Sequence, residues 1–365
     1  MAHPNTSSKS LFYLFEIIQL LLFLYLFILS IDLMGSAFKV AGSGMLGLIH
    51  QSTGNPWKGL FVGIFVTSVI QSSSSTTSVI VALVGSGVLT LDSAIPIVIG
   101  ANIGTTVTNT LVSFGFVGRK VEFERAFSAS IVHDMFNICS TIILFPLEMR
   151  FHMLRHTALF FSSRFEHAGG FSIVSPLKYL ISPVSEIITD HVPHNHILLI
   201  FAFILLFVSL GQIVRIARNM VISRVGSFLI SYPFSNPVKS LLFGLAITSF
   251  IQSSSITTSL IIPIVGAGML SIEQIYPYTL GANVGTTVTA ILAALGVGVE
   301  SAVAIAFSHL LFNLYGICIF FPLKMIPIKT AKRIGKYASQ SKKRLFSVIA
   351  FYILLHIIPL IFILA

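Results

Sequence analysis

The sequence predicts an all-α protein that crosses a membrane several times, and three observations lead to this fold class. Hydrophobic residues make up 55% of the 365 residues and charged residues only 9%, whereas soluble proteins carry about a quarter charged residues. Seven apolar runs have lengths close to the roughly 20 residues that a helix needs to cross a bilayer. A polar block recurs in both halves of the chain. We therefore expect two inverted-topology repeats, each with a re-entrant helical hairpin and about three transmembrane helices, and then a C-terminal helix.

The predicted spans are residues 11–34, 94–116, 126–149, 196–215, 276–295, 302–321 and 346–364. The first run is too long for a signal-peptide core and has no clear cleavage site, which indicates a retained span. Two further apolar stretches, 58–91 and 238–272, are interrupted midway by a Ser/Thr block. Neither half of these stretches is long enough to cross a bilayer, so each stretch is predicted to form a hairpin.

Two sequence blocks establish the internal repeat. Gln-Ser-Ser-Ser-Ser-Thr-Thr-Ser at 71–78 recurs as Gln-Ser-Ser-Ser-Ile-Thr-Thr-Ser at 252–259. Gly-Ala-Asn-Ile-Gly-Thr-Thr-Val-Thr at 100–108 recurs with one change at 281–289, so both blocks repeat at the same offset with no insertion between them. Three crossings per half, with each hairpin returning to its own side, place the second copy upside down, as in many secondary transporters.

The repeat divides the chain into five predicted regions. Residues 1–150 form the first repeat and residues 196–323 the second, with an extracellular or periplasmic linker at 151–195 between them. A basic cytoplasmic segment at 324–344 and a transmembrane helix at 345–365 follow.

The net charge of +10 is explained by membrane topology, and no nucleic-acid partner is expected. Basic residues accumulate in cytoplasmic loops of membrane proteins. A cytoplasmic N-terminus places every short basic loop that can be tested on that side; these loops contain Arg119, Lys120, Arg125, Arg215, Arg224 and the cluster at 324–344. We therefore expect a multi-pass protein of the plasma (cell inner) membrane. The side of the C-terminus and the oligomeric state stay open.

The two polar blocks carry the predicted binding chemistry. Unpaired polar groups survive at membrane depth only within protein or beside a watery cavity, so the two hairpin tips should face each other near the midplane. A helix that begins at each tip would present its N–H groups and about half a positive charge. Such a site suits a small tetrahedral oxyanion without any Lys or Arg. The candidate ligands are Gln71, Ser72, Ser73, Ser74, Gln252, Ser253, Ser254 and Ser255, together with Asn102 and Asn283 of the second repeated block.

The same oxygen-rich segments suit sodium. Hard cations prefer side-chain and backbone oxygens, and Thr286 and Thr289 share one face of a helix because they are three residues apart. The candidate sodium ligands are Gln252, Ser253, Thr286 and Thr289, with Thr105 and Thr108 in the first half. Ser, Thr and Gly are also common packing residues of membrane helices. The repeated Gln-Ser-Ser-Ser block in register favours a binding function.

Asp134 is one of the few acids deep in a predicted span, and such residues usually mark an ion path. Its counterpart in the second half is Leu310, because the flanking His133 and Asn137 match His309 and Asn313 at one common offset. This asymmetry predicts an additional cation site in the first half, lined by Asp134, Asn137 and Ser130. The alternative is a carboxylate paired with His133 or with a backbone group.

His133 and His309 are expected to be interhelical hydrogen-bond partners. One His in each half of the chain makes no metal cluster, whereas polar side chains often join membrane helices.

The chain resembles the type II sodium/phosphate cotransporter family. The resemblance rests on both Gln-Ser-Ser-Ser blocks, residues 100–109, Val-His-Asp-Met-Phe-Asn at 132–137 and residues 275–295, and it covers nearly all of 58–330. It implies sodium-driven uptake of inorganic phosphate by alternating access, with sodium as the coupling ion and no other cofactor. In the family, residues that match Gln252, Ser253, Thr286, Thr289 and Thr105 serve one sodium site.

The resemblance also bears on charge movement. The acid that matches Asp134 distinguishes electrogenic from electroneutral members, but Ser128 and Ser130 stand where electrogenic members usually have Ala. The expectation is electrogenic uptake of divalent phosphate.

Three alternatives remain at this point. The same mechanism could carry sulfate or arsenate, or the chain could be a non-transporting component of phosphate signalling. A membrane hydrolase with a Ser nucleophile, His133 and Asp134 is disfavoured, because no Gly-x-Ser-x-Gly motif is present. His133 and Asp134 are also sequence neighbours and point about 100° apart on a helix. We therefore expect a transporter with no catalytic residues.

Overall fold

The computed structural model describes residues 6–40, 54–105, 107–167, 170–192, 194–222 and 233–364. These residues form α-helices and two short 3-10 turns, with no β-strand among them. Seven segments within them are long and apolar enough to cross a membrane, which confirms the predicted all-α polytopic class. Their helices are α1 (Thr6–Val40), α4 (Leu91–Ile103) with α5 (Val107–Ser113), α6 (Lys120–Phe151), α9 (Asn195–Ile222), α13 (Ile272–Val297), α14 (Glu300–Phe320) and α16 (Lys342–Leu364).

Each stretch that was predicted to be a hairpin is divided at its polar block. The first contains α2 (Pro56–Ile70) and α3 (Ser73–Gly85), and the second contains α10 (Pro237–Ile251), α11 (Ser254–Ser259) and α12 (Ile262–Gly266). The second copy has an additional break because Pro263 replaces Ala82 and has no N–H to continue the helix. Both first arms begin in the same way: the side chains of Asn55 and Asn236 cap them, and a proline follows.

Repeated glycines bring α2 against α4 and α10 against α13. A Cβ atom on Gly100 would overlap the carbonyl oxygen of Leu60, and one on Gly281 would overlap that of Leu241. Small residues allow membrane helices to approach to backbone contact in this way. The two glycines are separated by the same number of residues as the two polar blocks, and so are the two carbonyl groups that they approach. The internal repeat is therefore present in the helix packing as well as in the sequence.

The turns of the two hairpins lie at opposite ends of α13. Gly85, at the end of α3, is positioned so that a Cβ would overlap Val297 at the C-terminal end of α13. The second turn, at 267–271, leads directly into the N-terminal end of α13. These contacts support an inverted arrangement of the two repeats, while the division into domains stays a prediction.

The segments predicted as a linker and as a basic segment are largely helical. Residues 151–195 contain α7 (Met153–His167) and α8 (Gly170–His191), and residues 324–344 contain α15 (Met325–Ala338). α15 buries Ile328, Ala331 and Gly335 and packs along α6. For α7 and α15 helix length explains the difference, since a search for membrane spans passes over short helices with one polar face. Arg224, one of the basic residues on which the predicted topology depends, lies outside the described residues.

Candidate functional site

The polar blocks turn the chain at two glutamines with left-handed backbone conformations. Gln71 has φ 59° and Gln252 has φ 61°, and their N–H groups donate to the carbonyls of Thr67 and Thr248 at 2.7 and 2.6 Å. A residue other than glycine is strained in this region of φ and persists only where its surroundings hold it. Residue type provides little signal for this geometry, because glutamine is not typical of such turns.

The next residue in each block caps a helix. Ser72 and Ser253 have extended backbones, and their hydroxyl oxygens accept from the N–H groups of Ser75 and Ile256 at 3.1 and 3.4 Å. Serine is among the preferred N-cap residues for this reason. Two helices therefore begin at the polar blocks, as the sequence predicts.

Hydroxyl pairs join the two arms of each hairpin. Thr67 donates to Thr76 at 3.0 Å, and the hydroxyls of Thr248 and Thr257 lie 2.8 Å apart. Each pair links the last turn of the arm before the break to the first turn of the helix after it, at the same repeat positions. The local structure of the break is thus duplicated down to its side-chain hydrogen bonds.

The two breaks are in contact with each other. The hydroxyl of Ser74 donates to the carbonyl oxygen of Gln252 at 3.4 Å, and the hydroxyl of Ser255 donates to that of Thr105 at 3.0 Å. Both serines are buried. Residues from the two halves of the chain thus form a single buried polar cluster, to which Thr108 belongs through its bond to Gln71 Oε1 at 3.3 Å.

One cross-connection was not predicted from the sequence. Asn109 donates to the hydroxyl of Thr258 at 2.9 Å, and that hydroxyl lies 3.1 Å from Asn109 Oδ1. Asn109 directly follows a repeated block but has no Asn counterpart in the second half, where Ala290 stands. A search for repeated polar residues therefore misses it.

A buried network of Asn and His side chains also links the two halves. His133 Nε2 hydrogen bonds with Asn283 Oδ1, and His309 Nε2 lies 3.2 Å from Asn102 Oδ1. The contact is reciprocal, since each half contributes one His and one Asn, as expected of two copies related by an approximate two-fold axis. Both His bonds are interhelical, which confirms the prediction for these two residues.

Asn137 joins the two sides of this network. It donates to the carbonyl oxygen of Asn102 at 2.7 Å and accepts from Asn283 Nδ2, also at 2.7 Å. The side chains of Asn102 and Asn283 are therefore engaged with protein partners in this conformation. Their predicted role in oxyanion binding stays a prediction.

Comparison with known proteins identifies the family. The family model described as Na+/Pi-cotransporter matches residues 26–162 and 205–338. The chain belongs to the Na+/Pi-cotransporter family. Each matched segment contains one Gln-Ser-Ser-Ser block, and the family predicted from the sequence is confirmed. This is a family of transporters and not of enzymes.

The most similar relatives of this Na+/Pi-cotransporter family member are longer proteins. Sodium-dependent phosphate transport protein 2A of Rattus norvegicus is 34% identical over 418 aligned positions, which cover 92% of this chain and 65% of the relative. Sodium-dependent phosphate transport protein 2B of Homo sapiens is 32% identical, with 94% and 64% covered. The chain thus spans less than two thirds of the length of these relatives. No solved structure matches it.

Four of the five residues that the Na+/Pi-cotransporter resemblance assigns to sodium are buried, and Ser253 is half-buried. Thr286 donates to a carbonyl of its own helix at 2.6 Å, and Thr105, just after the end of α4, donates to the carbonyl of Ala101 at 3.0 Å. Gln252 Oε1 and Thr289 Oγ1 are also buried but have no hydrogen-bond partner within the described part of the chain. A buried oxygen without a donor is costly, and a cation that accepts its lone pairs would remove that cost. These two atoms fit a sodium ligand set.

The residues of the second candidate sodium site make hydrogen bonds to different partners and not to one another. The hydroxyl of Ser130 donates to the carbonyl of Phe127 at 2.8 Å, within its own helix. Asp134 is 2% exposed, and its Oδ2 accepts from Tyr352 at 3.3 Å. Its other oxygen, Oδ1, has no hydrogen-bond partner among the described residues. The carboxylate therefore pairs neither with His133 nor with a backbone group, so that alternative is wrong.

The arrangement also excludes a catalytic role for His133 and Asp134. His133 contacts Asn283 of α13, and Asp134 contacts Tyr352 of α16. Neighbouring residues on α6 thus bind different helices, and neither is placed to activate a Ser nucleophile together with the other.

Proposed function

We propose that this chain is a sodium-coupled symporter that imports inorganic phosphate across the plasma membrane, with its N-terminus in the cytoplasm. The observation that carries the proposal is the contact between two hairpin breaks with the same sequence and backbone geometry, through Ser74 and the Gln252 carbonyl. Membership of the Na+/Pi-cotransporter family and the names of the relatives support this function. A ligand bound between the two breaks would explain why both halves of the chain contain the same break.

Phosphate is recognised by neutral groups in this proposal. The hydroxyls of Ser72, Ser73 and Ser74 and those of Ser253, Ser254 and Ser255 lie in or beside the first turns of two helices, where backbone N–H groups also favour an anion. Gln71 and Gln252 form the breaks, and Asn102 and Asn283 are further candidate ligands. A site without Lys or Arg binds an anion weakly enough to release it on the other side of the membrane.

Sodium supplies the missing positive charge. Gln252, Ser253, Thr286, Thr289 and Thr105 form the ligand set of one ion, with Thr108 in the matching position of the first half. An additional ion lies at Asp134, Asn137 and Ser130. Uptake of divalent phosphate is electrogenic when this ion raises the number of sodium ions per phosphate to three, because two sodium ions only balance its two negative charges. Binding of sodium to the unpartnered oxygens would order the hairpin breaks before phosphate enters.

Alternating access follows from the duplication. Two inverted copies with the same local geometry allow a protein to adopt two conformations in which the copies exchange roles. The reciprocal His-Asn contacts and the glycine-mediated helix contacts support such an exchange, because both kinds of contact are present in each half. The substrate site would stay near the midplane while the two halves rock around it.

Uptake by proteoliposomes tests the proposal. Purified protein should accumulate labelled phosphate when sodium is outside and should lose this uptake when choline replaces sodium. Excess unlabelled phosphate should compete fully, and sulfate should not. Equal uptake in sodium and choline would contradict sodium coupling, stronger competition by sulfate or arsenate would indicate another oxyanion, and absence of uptake in both ions would favour a non-transporting role.

A further inference from the structure

A cavity of about 610 Å³ opens beside the second hairpin turn, away from the two Gln-Ser-Ser-Ser breaks. Three elements form its walls: the N-terminal part of α6, the turn between α12 and α13, and α15. On the predicted topology this is the cytoplasmic side. The charged residues that line it are Glu124, Arg125, Glu273, Lys332, Arg333 and Lys336.

The charges that line this cavity leave an excess of positive charge. Lys332 forms an ion pair with Glu273, and Glu124 accepts a hydrogen bond from Ser339 at 3.3 Å. The other three charged residues, Arg125, Arg333 and Lys336, form no ion pair within the described ranges. Basic pockets of this kind beside membrane helices bind the headgroups of anionic lipids.

The same cavity has an apolar wall. Val265, Leu270 and Ile272 lie on the hairpin side, and Met269 at the turn is 65% exposed. A ligand that fills the cavity would therefore contact cationic groups on α15 and hydrocarbon on the hairpin turn. A free inorganic anion would use only the first of these surfaces.

The helix that supplies most of the charge is suited to a membrane surface. α15 buries Ile328, Ala331 and Ala338 on one side, while its basic residues are exposed. Amphipathic helices with Lys and Arg on the polar face lie in the interface between headgroups and water, particularly where anionic lipids are present. The cavity is thus located where phospholipid headgroups are available.

We propose that this cavity binds an anionic phospholipid, with Arg125, Arg333 and Lys336 around the headgroup phosphate and Met269 and Leu270 against the hydrocarbon. Guanidinium and ammonium groups make strong charge-assisted hydrogen bonds to phosphate oxygens. The bound lipid would connect α15 to the turn of the second hairpin. It therefore stabilises one position of that hairpin, and this site is independent of the phosphate and sodium sites proposed above.

Thermal unfolding of the purified full chain in detergent tests this site. Titration with dihexanoyl phosphatidylglycerol should raise the unfolding midpoint to saturation, because a ligand that binds only the folded state stabilises it, and dihexanoyl phosphatidylcholine should not. The double variant Arg333→Gln/Lys336→Gln should weaken the phosphatidylglycerol effect roughly tenfold or more. The matched control Lys329→Gln/Lys342→Gln removes the same charge from exposed residues that do not line the cavity and should leave the effect unchanged.

Titrations with inorganic phosphate and with glycerol phosphate distinguish a free anion from a lipid as the ligand. A midpoint shift by either anion that is lost in Arg333→Gln/Lys336→Gln would show that the cavity takes the free anion, and it would overturn the lipid proposal. Equal weakening in both double variants would overturn it as well, because it would indicate general surface attraction. Arg125→Gln, on a different element, should weaken binding also and serves if the double variant does not fold.

Discussion

The hydroxyl of Tyr352 donates a hydrogen bond to Oδ2 of Asp134 at 3.3 Å, which joins the C-terminal helix α16 to the middle of α6. Asp134 has no acidic counterpart in the second half, and its partner lies on a helix outside both repeats. This pair is therefore one of the features that distinguish the first half of the protein from the second. A buried carboxylate with one satisfied and one unpartnered oxygen is a strong candidate for a cation ligand.

Asp134→Gly should abolish the phosphate-dependent current and retain phosphate uptake. The additional sodium ion would lose its only charged ligand, and two remaining sodium ions balance the charge of divalent phosphate. Voltage-clamped currents and labelled phosphate uptake in the same cells measure the two effects separately. A current that persists in this variant would show that charge is moved at another site.

Tyr352→Phe should keep protein levels and phosphate uptake but change the sodium concentration for half-maximal current roughly tenfold or more, since a hydrogen bond to a charged group contributes about 1.5–3 kcal/mol. The measurement is a sodium titration of the current at constant phosphate. Tyr179→Phe is the matched control, because Tyr179 is 81% exposed. An unchanged titration in Tyr352→Phe would show that Tyr352 only packs against Asp134.

Sequence reasoning predicted the parts of this site that are duplicated. The constant offset between the two halves located both hairpin breaks and the serine caps, because each repeated residue performs the same local task twice. Features without a repeat partner were not found in this way: Asn109 and the break at Pro263 occur in one half only, and Tyr352 lies outside both repeats. Their contacts depend on which helices become neighbours, and sequence spacing does not encode that.

The left-handed glutamines were missed for a different reason. The sequence predicts that Gln71 and Gln252 act through their amide groups, whereas the backbone shows that they also form the break of each hairpin. Residue type gives no indication of this turn, since glycine is the residue usually found at such φ values. The amphipathic helices α7 and α15 were missed because short helices with a polar face do not resemble membrane spans.

Gln252→Gly should separate the two roles of this residue. Glycine removes the amide group but relieves the strain of the positive φ, so the variant should be at least as stable as Gln252→Ala. If the amide binds sodium or phosphate, both variants lose nearly all sodium-dependent uptake although Gln252→Gly is folded. His152→Gly is the control, because His152 also has a positive φ of 50° and lies outside the site. Full activity of Gln252→Gly would restrict Gln252 to a backbone role.

Ser253→Ala should abolish phosphate uptake at nearly normal protein levels. The loss of a serine N-cap lowers the free energy of unfolding by about 1 kcal/mol, which is too little to explain a complete loss of transport. Thr90→Ala is the matched control, because Thr90 caps α4 through the same kind of bond, to the N–H of Ser93 at 3.3 Å, away from the breaks. Uptake and surface protein should be measured for both variants. Equal residual uptake in the two would show that Ser253 is only a cap.

Gly281→Ala should prevent correct packing of α13 against α10. The added Cβ would overlap the carbonyl oxygen of Leu241, a backbone atom that cannot rotate away, and overpacking of this kind typically costs about 1–3 kcal/mol. Gly211→Ala is the matched control, since nothing lies within 4 Å of the position of its Cβ and alanine is favoured over glycine within a helix by about 1 kcal/mol. Unfolding midpoints in detergent should therefore fall for Gly281→Ala and stay equal or rise for Gly211→Ala. Gly100→Ala meets the carbonyl oxygen of Leu60 in the same way, so it should reproduce the effect of Gly281→Ala. A large difference between these two variants would show that the two halves do not pack equivalently in solution.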